Sequence, residues 1–180
     1  MNDWLVYVIG YPGCGKTTAM RKAIGWDDIL DQEVENKPFA HTIYPSGLVE
    51  IGKAREPYGG TDTLALNVQP AVVKWLAEID VPVVVGEGDR LANKKFFDSV
   101  ANKGRHLAIV HIKCSELIAR KRAWERGSRF NESWLKGRIS KVDSLVEWYE
   151  GTDVLHTLDG GANPVHIGNE LKSIIEGLNG

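Results

Sequence analysis

Trp4-Leu5-Val6-Tyr7-Val8-Ile9 runs directly into Gly10-Tyr11-Pro12-Gly13-Cys14-Gly15-Lys16-Thr17-Thr18. The first six residues are a continuous apolar, β-rich run ending at a glycine, the pattern of a strand buried on both faces. Gly10 to Thr17 satisfy G-x-x-x-x-G-K-[ST] at every position, and Thr18, Ala19, Met20 and Ala23 lead on toward Ile24 as a helix. Strand, glycine-rich loop, Lys-Thr and helix in this order make a phosphate cradle. Glycines let successive backbone N–H groups turn inward, and the helix N-terminus adds its partial positive charge. The motif assigns Gly10, Pro12, Gly13, Cys14, Gly15, Lys16, Thr17 and Thr18 to a nucleotide donor. Lys16 is expected on the β- and γ-phosphates and the Thr17 hydroxyl on Mg2+. The expected cofactors are ATP and Mg2+.

The segments on either side extend the pattern. Val81–Val85 is a second buried strand, ending in Gly86-Glu87-Gly88-Asp89-Arg90, and His106–Ile112 and Val154–Leu158 are two more. Helices are expected from Gln69-Pro70, from about Asn93 to Ala101, over Ser115–Arg126 and Glu132–Tyr149, and from Asn163-Pro164 onward. Thr42–Ile51 holds two β-type runs around Pro45-Ser46-Gly47, a hairpin signal. Residues 53–67 read as a loop, and the acidic stretch Asp27–Glu35 as a solvated helix face. Strands alternating with helices define an α/β, three-layer fold: a parallel sheet of about five strands, helices on both faces, and an Arg-rich helical lid. One domain is expected over residues 1–180, with the lid at about 115–141 and an acceptor-side insertion at about 41–67.

Composition narrows the class. Apolar residues are 43% of the 180, charged residues 26%, and the net charge is −2, so bulk electrostatic coating of nucleic acid is not expected. The longest apolar stretch is far below the ~20 residues a membrane helix needs. Two isolated cysteines, Cys14 and Cys114, read as reduced thiols, and the expected compartment is the cytoplasm.

Chemistry on the acceptor side follows from residue type and place. Glu87 and Asp89 stand at the C-terminal end of a strand, where open α/β sheets bind ligands. There they could serve Mg2+ together with Thr17, and Asp89 could serve as a base. Arg90 beside them could neutralise a phosphate. A hydroxyl acceptor keeps its proton until attack and needs such a base, whereas a phosphate acceptor needs cations. Eight basic residues lie between Arg120 and Lys141. Arg126 and Arg129 flank the Gly127 turn and are the expected lid arginines on the transferring phosphoryl group, with Arg122 on the donor. Arg55, Thr61, Asp62 and Arg90 are the expected acceptor contacts, and Trp124 and Trp134 are available to stack on a base.

Gly10 to Thr18 is similar to the G-x-P-G-x-G-K-[ST]-T form common in nucleoside and nucleotide kinases. Asp89-Arg90 resembles the Asp-Arg pair of thymidylate-kinase-like enzymes, and Val154–Asp159 followed by Asn163-Pro164 resembles their last strand and adenine-side loop. Between Thr42 and Asn67 a hairpin and a Gly-Gly-Thr-Asp loop stand where that family has helices. Small bacteriophage kinases of this shape include enzymes for free deoxynucleoside monophosphates and the 5-hydroxymethyluracil DNA kinases. The resemblance implies ATP-dependent transfer of the γ-phosphate to a nucleotide-type acceptor. The first choice is the hydroxymethyl group of 5-hydroxymethyluracil in phage DNA, so that DNA is a partner, and the second is a free monophosphate. The reading from another class is a P-loop NTPase or switch, which the short chain and the Arg-rich lid disfavour.

Overall fold

The computed structural model describes residues 3–25, 33–53, 59–129 and 131–178. Trp4–Ile9 forms strand β1 and Lys16–Ile24 helix α1. Strands β2 (Glu33–Glu35), β3 (His41–Ile43) and β4 (Val49–Ile51) precede helix α2 (Gln69–Glu78) and strand β5 (Val83–Glu87). Then come α3 (Lys94–Ala101), β6 (His106–Lys113), α4 (Glu116–Glu125), α5 (Glu132–Tyr149), β7 (Leu155–Asp159) and α6 (Pro164–Leu178). Asn93, Ser115 and Asn131 cap α3, α4 and α5 by accepting the backbone N–H three residues on, which explains why those helices start where they do.

Among the described residues seven strands join one sheet in the order β2-β3-β4-β5-β1-β6-β7. The five from β4 to β7 run parallel, and β3 and β2 extend the β4 edge in antiparallel pairing. The sheet is therefore two strands wider than the five its sequence suggests. Glu33–Glu35, expected on a helix, is the outermost strand, and its three residues are exposed. Charges on a short outer strand discourage pairing with another chain. The rest of that acidic stretch lies outside the described residues.

Period-two geometry divides β1 between two cores. Leu5, Tyr7 and Ile9 pack with Val72, Leu76, Phe96 and Phe97 of α2 and α3. Val6 and Val8 pack with Ala19 and Met20 of α1 and Ile167 and Leu171 of α6. Each such side chain contributes about 1.5–3 kcal/mol on burial, so the central strands rather than the exposed β2 carry the sheet's stability. At the N-terminal edge, the buried Arg105 guanidinium donates to the carbonyls of Trp4, Leu76, Ile79 and Val81, tying α2 and the entry to β5 to β1.

The register fixes what lies at the opposite edge. Val8 pairs with Glu87, so the last residue of β5 arrives beside the end of β1 just before the glycine-rich loop.

Candidate active site

Gly15 caps α1 with φ 100° and no side-chain cap, leaving the first-turn N–H groups directed at the loop. Gly13 has φ +92°, and a Cβ there would stand 2.2 Å from the Ala119 carbonyl of α4. Both the conformation and the close packing require glycine. Lys16 crosses the loop mouth, its Nζ donating to the carbonyls of Gly10 (2.9 Å) and Tyr11 (3.2 Å).

Thr17 Oγ1 donates to Glu87 Oε1 at 2.9 Å. Glu87 is 3% exposed, and burial pushes its carboxyl up to about 7, against the charge of Lys16 and the bond from Thr17. A second buried acid, Glu50, also rises to about 7 through burial, while a Tyr44 bond of 2.6 Å and the charge of Arg21 hold it down. Its charge in turn raises Glu87.

Side chains from three parts of the chain, β1, the turn at Thr61–Thr63 and α5, grip the turn after β5. Thr61 Oγ1 donates to the Glu87 carbonyl (3.0 Å) and the Tyr7 hydroxyl to that of Gly88 (2.9 Å). Asp62 Oδ1 accepts the N–H groups of Asp89 (2.9 Å) and Arg90 (3.1 Å). Lys141 Nζ, from α5, donates to the Asp89 carbonyl at 2.8 Å. The Asp89 carboxylate itself is shared: Oδ1 takes Lys141 at 3.1 Å and Oδ2 pairs with Arg138.

A cleft of about 510 Å³ joins these parts. Gly10, Pro12, Gly13, Gly15, Lys16, Thr17 and Thr18 line it from the loop, and Arg126, Gly127, Ser128, Trp134 and Arg138 from the α4–α5 turn and α5. Arg21, Asp62, Glu87 and Asp89 complete the wall.

Other expected site residues stand elsewhere. The Cys14 side chain is fully buried. Its thiol takes a hydrogen bond from Cys114 that, with the charges of Lys16 and Arg122, pushes it below the usual thiol range against its burial. Arg122 donates to the carbonyls of Gly160 (2.6 Å) and Cys14 (3.4 Å), joining α4 to the loop and to the end of β7. The Arg129 guanidinium lies 3.8 Å over the Trp124 ring. Arg90 Nε is buried with no hydrogen-bond partner. Thr61 is wholly buried and directs its hydroxyl into the protein, whereas Asp62 borders the cleft while bracing the turn. Arg55 lies outside the described residues. Tyr7 and Glu50 enter the architecture of the site without having been singled out for it. The one signal was a polar atom inside an apolar run, the hydroxyl of Tyr7 in β1 and the carboxyl of Glu50 between Val49 and Ile51.

A phosphate cradle on β1, with lysine and threonine beside a buried carboxylate on the neighbouring parallel strand, defines a P-loop phosphotransferase. The chain belongs to the P-loop Nucleotide Kinase3 family, whose model matches residues 1–180. Solved structures of the same fold include a gluconokinase from Sinorhizobium meliloti 1021, at 20% identity over 99% of this chain and 95% of that one, TM-score 0.56. A sugar kinase from Janibacter sp. HTCC2649 aligns at 15% identity over 99% and 96%, TM-score 0.55. A shikimate kinase from Aquifex aeolicus vf5 aligns at 17% over 96% of each chain, TM-score 0.51. At these identities the likeness is one of fold. No curated protein sequence matches the chain.

Proposed function

We propose that this kinase transfers the γ-phosphate of ATP to a hydroxyl group on a nucleotide-type acceptor, first among them the hydroxymethyl group of 5-hydroxymethyluracil in phage DNA. The observation that carries the reading is that the Asp89 carboxylate lines the same cleft as the phosphate cradle. A hydroxyl acceptor must lose a proton as it attacks, and the Asp89 carboxylate is a group that can take it. Thr17 and Glu87 are the residues suited to Mg2+, which commonly takes one or two protein ligands plus phosphate oxygens and supplies charge neutralisation when bound. Lys16 compensates charge on the β- and γ-phosphates, and Arg126 meets the transferring group from the lid. Asp89 stands on the acceptor side; as the hydroxyl oxygen bonds to phosphorus and the bond to the β-phosphate oxygen breaks, the acceptor's proton passes to its carboxylate.

Residues 1–180 then act as one kinase domain with residues 115–141 as its lid. Among the described residues no helix is long and apolar enough to cross a membrane, and the proposed setting is the cytoplasm, that of the host for a phage enzyme. Support for a DNA strand is narrower than the count of basic residues suggests. Arg120 is bonded to Glu116 and Glu132, Lys121 lies 3.9 Å from Glu125, and Arg138 and Lys141 hold Asp89. Arg21, Arg126 and Arg138 line the same cleft and favour the second reading, a deoxynucleoside monophosphate kinase.

The test is transfer of label from γ-labelled ATP to hydroxymethyluracil-containing DNA, to hydroxymethyl-dUMP and to the ordinary monophosphates, with Lys16→Ala as the blank. Label in the hydroxymethyl substrates is expected. Label confined to ordinary monophosphates would replace the first reading with the second.

A further inference from the structure

The two cations on Asp89 differ in reach. Arg138 lines the cleft together with Lys16, Thr17 and Arg126, the groups facing the donor phosphates, and its side chain is 34% exposed. Lys141 is absent from the cleft wall and holds Asp89 twice, by the backbone carbonyl at 2.8 Å and by Oδ1 at 3.1 Å. Arg138 holds only Oδ2. We propose that Lys141 is the fixed anchor of Asp89 and Arg138 its exchangeable partner, so that the donor's phosphates draw Arg138 away and uncover Oδ2 for the acceptor.

The energetics favour that direction. A single ion pair with side chains 34% and 31% exposed is weak, and it is screened by water and salt. Arginine binds the several charges of a triphosphate through parallel, charge-assisted hydrogen bonds, which are stronger. The Trp134 ring, 5.2 Å from the Arg138 guanidinium and itself on the cleft wall, gives the arginine an apolar surface to slide along. Lys141 has no comparable route, because leaving would strip the Asp89 carbonyl as well as the carboxylate. Asp62 and Tyr7 hold the turn from the opposite side, so Asp89 stays oriented when Arg138 departs. Donor binding then prepares the acceptor site, and the pair Asp89–Arg138 competes with nucleotide.

This inference rests on the kinase reading, and calorimetry with a non-hydrolysable ATP analogue in Mg2+ separates the two. Asp89→Asn, which releases Arg138, should tighten analogue binding by about two- to fivefold, the range of such a pair. Arg138→Gln should weaken it, and in that background Asp89→Asn should have no further effect. Lys141→Gln should leave analogue affinity unchanged while lowering turnover by roughly ten- to a hundredfold through misplacement of Asp89, with partial recovery in Lys141→Arg. Weaker analogue binding in Asp89→Asn would overturn the proposal by placing Asp89 on the metal. Tightening that persists without Arg138 would also overturn it, as a bulk charge effect. Failure of the unmodified protein to bind the analogue at all would overturn the kinase reading itself.

Discussion

Glu87 accepts a hydrogen bond from the Thr17 hydroxyl, and the strand register brings it beside the end of β1. Its carboxyl rises from an ordinary 4.5 to about 7 because burial penalises the charge. A group that holds its proton more tightly folded than unfolded stabilises the fold below about pH 4.5, and that contribution is lost as pH rises through about 7. Glu87→Gln keeps an oxygen for Thr17 and removes the charge. In thermal melts at pH 8 its midpoint should exceed that of the unmodified protein by at least ~2–4 °C, the shift that about 1 kcal/mol produces in a chain of this size. At pH 4.5 the difference should shrink toward zero. A variant no more stable at pH 8 would mean that Glu87 is not an energetically costly charge. Its kinase turnover should nonetheless fall by orders of magnitude, because stability and metal binding make opposite demands on that carboxylate.

Elements of regular structure were legible wherever local pattern and burial agreed. Trp4–Ile9, the helix from Gln69 and the hairpin around Pro45-Ser46-Gly47 all stand where their sequences place them. The outer strand Glu33–Glu35 was not legible, because its pairing is set by a neighbour and its composition says only that it is exposed. The backbone of the phosphate loop was legible, since its glycines answer to a local demand for positive φ at Gly13 and Gly15. The grip on the turn after β5 was not, because Tyr7, Thr61, Asp62 and Lys141 come together only through the sheet and α5. The loop before α2 offers a test of that grip. Gly60 has φ +60° and ψ −144°, and a Cβ there would lie 2.5 Å from the Glu87 carbonyl oxygen and 2.9 Å from Oε1. Gly60→Ala should destabilise the protein by about 1–3 kcal/mol and lower turnover in the surviving folded enzyme. Gly47→Ala, at φ +82° with nothing near its Cβ, supplies the conformational strain without the contact. Denaturant unfolding of both variants checks this, and equal activity losses would show that the loop does not press on Glu87.

At the scale of the whole molecule, topology converts an ordinary α/β sheet into a two-sided cleft. The crossover from β1 to β5 brings the phosphate cradle and the acidic turn to one edge, and α5 covers them with Arg138 and Lys141. The cleft carries charge of both signs: Lys16, Arg21, Arg126 and Arg138 line it together with Asp62, Glu87 and Asp89, and Asp89 is held by Arg138 and Lys141. A carboxylate at Asp89 to take the acceptor's proton is the reason to expect a hydroxyl acceptor, and the product's linkage tests it most directly. Phosphorus NMR of the product formed from ATP and hydroxymethyl-dUMP distinguishes a new phosphomonoester on the hydroxymethyl oxygen from a phosphoanhydride on the existing phosphate. The account predicts the monoester, retained when the 5′-phosphate is selectively removed. A product consisting only of the diphosphate anhydride would contradict it.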